Sequence, residues 1–291
     1  MATTTSLAPV QPYDFGLSLR AAASFAPDPP GEAAELRSAV RIGGFPTLLT
    51  LRQQRTDRPL LEAHSSLEVS VSEVRRIAGW IIFADMDLKP FYRLAGPHPI
   101  LGPMIRQLHG LKPMRPAELF DMLVIAITEQ QISLQAAHRI RGRLIEQYGD
   151  PVYSFRTFPT PKRLAESPVE ELMSCGLSRR KAEYVGELAR KVDGGEIDLA
   201  GLEKMSDEEV RHLLLQQRGL GPWSAEYFLV RGLSRPDRVP ADDLGVRSVV
   251  GRYLGRGRRL SPLGVARKLS PFAPYRGLAA FYMLAHHRLT L

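Results

Sequence analysis

The sequence holds one cysteine, Cys175, among 291 residues. A single thiol closes no disulfide within the chain and makes no cysteine-only metal site. In the run LMSCGL it reads as a small core residue. Long apolar stretches are also missing. At 44% hydrophobic content, no uninterrupted run approaches the roughly 20 residues that cross a bilayer. The opening MATTTSLAPVQPYDF lacks the basic and apolar regions of a signal peptide. These absences set the expectation of a soluble intracellular protein, in cytoplasm or nucleoid, with no membrane partner. Acidic charge is scarce too: 31 Asp and Glu face 39 Lys and Arg, a formal net charge of +8. The excess favours a polyanionic partner, although many basic proteins bind none.

The length suffices for two or three compact units with their own cores. Residues 1–12 are polar and read as a loose tail. From Tyr13 the patterns mix. YDFGLSLRAAASF begins strand-like and turns helical, APDPPGEAAEL reads as a loop, and LRSAVRIGGFPTLLTLRQQ alternates around a Gly-Gly turn. PLLEAHSSLEVSV continues as strand, and SEVRRIAGWIIFA is helical with Ser72 as its cap. Beyond Asp87 strands vanish. The expected fold class is α+β: a small antiparallel sheet unit over 13–92, then a mostly helical region over 93–291 with a hairpin near 212–230. Ser133, Ser178 and Ser206 stand where helix caps belong, the last with Glu209 as a capping box. The adjacent His286 and His287 point roughly 100° apart on a helix and make a poor metal pair.

The most informative stretch is QRGLGPWSAEYFLVRGLSRPDRVPADDLGVRSV, from Gln217 to Val249. Gly219-Leu220-Gly221-Pro222 is a tight turn feeding an apolar helix. Two glycines one residue apart let the backbone adopt φ > 0 and approach a ligand closely. The N–H groups at the start of the next helix, Ser224 among them, then suit phosphate. The same turn also serves as a plain bundle connection. The Gly176-Leu177-Ser178 turn offers a weaker version, read as a bundle connection capped by Ser178. Asp242 and Asp243 stand at a second helix start. One of them caps it, and a second carboxylate there suits stabilisation of a developing cation. By chemistry alone either could fill either role. Trp223 and Tyr227 lie one helical turn apart, a spacing shared by core and pocket aromatics.

RGLGPWSAEYFLVRGL followed by VPADDLGVRSVV resembles the signature of the helix-hairpin-helix base-excision DNA glycosylases, and within them the 3-methyladenine DNA glycosylase II family. The resemblance runs from about Tyr13 to near the C-terminus. It implies a hairpin backbone that grips DNA phosphates through Gly219, Leu220, Gly221 and Ser224. It also implies a catalytic carboxylate at Asp243, whose spacing to Val246, Arg247 and Val249 fits the family pattern, with Asp242 second. By the same resemblance Trp223, Tyr227 and Leu284 border the base pocket. Further aromatic pocket positions fall on Ala21 and Leu284, implying a less aromatic pocket than in other members. Gln131 takes the place of the side chain wedged into the duplex. Bifunctional relatives carry a nucleophilic Lys at the position of Trp223, so the implied activity is hydrolysis alone, on alkylated purines such as 3-methyladenine. The lone cysteine excludes the four-cysteine iron–sulfur cluster of some relatives. No cofactor or metal is implied for the chemistry, although the hairpin carbonyls suit a structural monovalent cation. The implied partner is damaged double-stranded DNA, bound by a monomer. Two alternatives stay open at this point: a glycosylase for oxidised or deaminated bases, and a non-catalytic helix-hairpin-helix DNA-binding protein.

Overall fold

The computed structural model describes residues 2–25, 35–54 and 60–290. Four strands, β1 (Thr3–Leu7), β2 (Glu35–Ile42), β3 (Phe45–Gln53) and β4 (Leu61–Ser65), form an antiparallel sheet in the order β1-β4-β3-β2. Gly43 and Gly44 take φ of +60° and +83° at the β2–β3 turn, and only glycine does so twice in succession cheaply. Most of the loop expected over 26–36 lies outside the described residues; its last two, Glu35 and Leu36, open β2 instead.

The expected loose tail is instead strand β1, paired from Thr3↔Ser65 to Leu7↔Leu61. Thr3, Thr5 and Leu7 alternate inward. Their hydroxyls find partners: Thr3 Oγ1 donates to the Val69 carbonyl at 2.8 Å, and Thr5 Oγ1 accepts from Arg75 at 2.9 Å. Threonine on the buried face hides the alternation from a hydrophobicity reading.

Helix α1 (Phe15–Ala23) starts directly after Asp14, whose carboxylate accepts from Leu17 N–H at 2.8 Å, so no strand precedes it there. Helix α2 (Val71–Ile81) packs on the sheet and begins before Ser72; Ser70 holds the cap position without a capping bond. Then come α3 (Lys89–Ala95), α4 (Leu101–Gln107), α5 (Leu119–Glu129) and α6 (Leu134–Tyr148). Strands return once beyond Asp87, in the two-residue pair β5 (Pro151–Val152) and β6 (Phe155–Arg156). Arg41 on β2 pins that hairpin, donating to Phe158 O at 2.8 Å and Asp150 Oδ2 at 2.7 Å. The remaining helices are α7 (Pro161–Ala165), α8 (Val169–Ser174), α9 (Arg179–Asp193), α10 (Asp207–Leu215), α11 (Pro222–Arg231), α12 (Leu244–Leu254), α13 (Pro262–Leu269) and α14 (Arg276–Leu289).

Three cores hold this together. One lies between the sheet, α1 and α2; one joins α5 to α9, α10 and α11; the third joins α3 and α4 to α12, α13 and α14. Helix α1 serves two of them, with Phe15 and Leu19 toward the sheet and Leu17 and Ala21 toward the C-terminal helices. The fully buried Lys112 ties the pieces further. Its ammonium donates to the carbonyls of Val10, Phe83 and Ala84 at 2.9, 3.3 and 3.2 Å, and burial pulls its pKa down to about 8.

Candidate active site

The hairpin is α10, the turn 216–221 and α11. The capping box predicted at Ser206 and Glu209 is formed at the start of α10. At the turn the two glycines differ. Gly219 has φ +87°, and a Cβ there would lie 2.4 Å from the Tyr184 ring, so both conformation and space require glycine. Gly221, expected to share that conformation, is extended at φ −100° and is the N-cap of α11. A Cβ there would touch nothing within 4 Å. Its use is the missing side chain. With Pro222 at N1 and no capping side chain, the first-turn N–H groups of α11 must be satisfied from outside the chain. Leu220 and Ser224 are 5% and 2% exposed, so both side chains face inward and only their backbone can meet a phosphate.

The α5–α6 junction is lashed to this turn. The Gln130 side-chain amide donates to Gly219 O at 2.7 Å and to Ser224 Oγ at 2.9 Å. Lys181 Nζ donates to the carbonyls of Thr128 and Gln130 at 2.9 and 2.6 Å. Between these braces the exposed Gln131 is held at φ +56°, a left-handed conformation that is costly for a residue with a Cβ. Ser133 then caps α6 as its sequence predicts.

Asp243 ends the loop after α11. Its Oδ1 accepts from Val246 N–H at 2.9 Å and so caps α12. Its Oδ2 accepts from Trp223 Nε1 at 3.3 Å. The loop is held against α14 by Arg276, which donates to Asp237 Oδ1 at 2.8 Å, and by Leu278 N–H on Pro236 O at 3.0 Å. On α11 the Trp223 and Tyr227 rings stack at 4.8 Å and 15°. The Tyr227 hydroxyl donates to Glu129 Oε2 at 2.8 Å. Burial, opposed by Arg231 and reinforced by Glu129, raises the Tyr227 pKa and keeps the phenol protonated.

Asp243, Trp223, Tyr227 and Leu284 line one cavity of about 800 Å³, within the range of small-molecule sites. Asp242 is exposed and lines a second hollow of about 370 Å³, which shares Trp223 and Pro240 with the first. The two adjacent carboxylates are thereby distinguished: only Asp243 faces the large cavity. Ala21 does not. It is buried in the core between α1 and the C-terminal helices, and its neighbours Ala22 and Ala23 reach the cavity in its place. Phe25, Phe281 and Glu129 line the large cavity as well. Two guanidinium groups approach the Phe25 ring, Arg288 at 4.5 Å and Arg231 at 5.5 Å. No sequence spacing links Phe25 to α11 and α14. Glu129 did carry a signal, an acidic residue at the wrong end of a helix dipole. Among the described residues no cluster of His, Cys, Asp or Glu could hold a metal ion. No helix of the described residues is long and apolar enough to cross a membrane.

The architecture is that of a DNA glycosylase. The 3-methyladenine DNA glycosylase from Archaeoglobus fulgidus matches with a TM-score of 0.84 at 25% identity, over 98% of this chain and 99% of that one. The chain belongs to the HhH-GPD superfamily of base excision DNA repair proteins, whose family model matches residues 124–274. Among curated relatives, the DNA-3-methyladenine glycosylase of Bacillus subtilis (strain 168) is 28% identical over 253 residues, 86% of this chain and 82% of that protein. A Schizosaccharomyces pombe 3-methyladenine DNA glycosylase, solved in complex with abasic DNA, matches at 29% identity and TM-score 0.59, over 67% of this chain and 95% of that one. The protein is a base-excision DNA glycosylase. The family match takes in the α5–α6 junction, the hairpin and Asp243, and leaves α1 and α14 outside.

Proposed function

We propose that this glycosylase is monofunctional and excises alkylated purines such as 3-methyladenine from damaged duplex DNA, acting as a monomer inside the cell. The names of its relatives support the substrate class. The observation that carries the mechanism is Asp243, with one oxygen fixed in the α12 cap and the other beside Trp223 at the cavity wall. A base inside a duplex is out of reach and must be flipped out. The uncapped start of α11 and the Gly219 turn hold the strand, and Gln131 fills the gap. The extruded base lies against Trp223, where a cationic ring gains from the aromatic face. An N3- or N7-alkylated purine is already cationic, so it departs with the N-glycosidic electron pair without strong acid assistance. The Asp243 carboxylate stabilises the positive charge developing on the sugar and orients water toward C1′. Water adds there, releases a proton to Asp243 or solvent, and leaves an abasic site. Trp223 offers no amine for a Schiff base, so the strand is not cut. No metal or organic cofactor takes part.

Asp243→Asn tests this. Its amide oxygen still accepts from Val246 N–H, so the fold and duplex binding persist. Base release from methylated duplex DNA, followed by chromatography, falls by about 10² to 10³ or more. Asp242→Asn stays near wild type. Release surviving both substitutions refutes the mechanism. Release of oxidised or deaminated bases alone would overturn the substrate class.

A further inference from the structure

We infer that Glu129 is a specificity-determining residue of the base cavity, accepting a hydrogen bond from an amino group on the base edge remote from the sugar. This rests on the role given to Asp243 above. Glu129 is the last residue of α5, where the helix dipole disfavours a carboxylate. Its side chain is only 11% exposed, which adds a desolvation cost. Two partners offset these penalties: Tyr227 donates to Oε2 at 2.8 Å, and Arg141 supplies the counter-charge to Oε1 at 3.4 Å. A carboxylate offers about four acceptor sites, so these two donors leave capacity for a ligand.

The position of the group points to its use. Trp223 and Tyr227 form a stacked step on α11, with Asp243 bonded to the Trp223 end and Glu129 to the Tyr227 end. Both carboxylates line the same cavity. A purine laid along the step with its sugar at Asp243 extends its far edge toward Glu129. That edge carries the substituent at C6. An amino group there donates to the carboxylate; an oxo group there sets a lone pair against an anion. Buried polar groups built to pair with one partner reject the analogue that lacks it. The site is therefore matched to 6-amino purines such as 3-methyladenine over 6-oxo purines such as hypoxanthine.

The test is Glu129→Gln, which keeps an acceptor for Tyr227 but presents a neutral group. Single-turnover release of 3-methyladenine and of hypoxanthine is measured from duplex DNA, alongside thermal melting and abasic-duplex binding. We expect 3-methyladenine release to fall roughly ten- to hundredfold, with hypoxanthine release not reduced and melting and binding near wild type. Glu129→Asp, which retains the charge, should restore part of the loss. Unchanged 3-methyladenine release in Glu129→Gln overturns the inference. So does an equal fall for both bases, or an Asp variant as impaired as the Gln variant, since either marks Glu129 as mere support for Tyr227. A wild-type protein that releases no 3-methyladenine sinks the substrate class itself, a different and separately visible failure.

Discussion

Two turns in this chain do the same geometric job and end differently. Gly176 and Gly219 both take left-handed φ, +100° and +87°, and each is followed by a buried leucine, Leu177 or Leu220. The residue after the leucine separates them. At α9 it is Ser178, whose hydroxyl accepts from Lys181 N–H and satisfies the helix start internally. At α11 it is Gly221, an N-cap with no side chain to satisfy the helix start. One turn is closed upon itself, and the other leaves its helix start to an outside acceptor. A single side-chain oxygen thus separates a helix start satisfied within the chain from one left open, and the proposed phosphate contact falls on the open one.

The largest expected effect comes from adding a methyl group at the open turn. Gly219→Ala meets both a left-handed φ and the Tyr184 ring. It should cost about 2–4 kcal/mol in urea unfolding and abolish duplex binding. Gly176→Ala meets Ile140 at 3.2 Å; it should cost about 1–2 kcal/mol while the folded protein binds DNA normally. Equal losses of DNA affinity would erase the distinction between the turns. Next in size is Gln130→Ala, which cuts both bonds from the α5–α6 junction to the open turn. Excision should slow about tenfold through misplacement of Gln131, with duplex affinity less affected. Exchanging caps is gentler. Ser178→Ala should cost about 1 kcal/mol without touching DNA affinity. Gly221→Ser should stabilise by a few tenths of a kcal/mol, weaken duplex binding severalfold and flatten its salt dependence by about one phosphate contact.

The smallest effect belongs to neither turn but to the cavity wall, and serves as a control on both. Burial, then the neighbouring Arg141, depresses the His138 pKa to about 4, against about 6.5 in an unfolded chain. The unfolded chain therefore binds more protons between those values. This group's contribution to stability is complete above about pH 6.5 and drains away as the pH falls toward 4. Over that window wild-type melting should decline more steeply than that of His138→Gln, while the cap variants should track wild type.

Local chemistry was legible where it closes within a few residues. Ser133, Ser178 and Ser206 each cap the helix their sequence context announces; of the two cap candidates Asp242 and Asp243, left open by the sequence, Asp243 caps α12. The Gly-Gly turn and the two helices around the Gln130–Gln131 junction fall where their periodicity puts them. What escaped depends on distant partners. Strand β1 needs β4, whose residues lie some 60 positions on, to turn threonines into a buried face. Tyr227 and Glu129 are 98 residues apart, and nothing in either neighbourhood foretells their bond. The choice between Asp242 and Asp243 rested on family spacing; geometry adds that a cap bond draws Asp243 inward, while its neighbour stays outside.

Asp243 divides its labour between its two oxygens, and that division constrains what could ever replace it. Asparagine inherits the helix start but not the charge. Glutamate inherits the charge on a stem one carbon too long to close so short a cap. Among the natural residues only aspartate keeps both, so the start of α12 and the reactivity proposed here are bound to drift, or to persist, together.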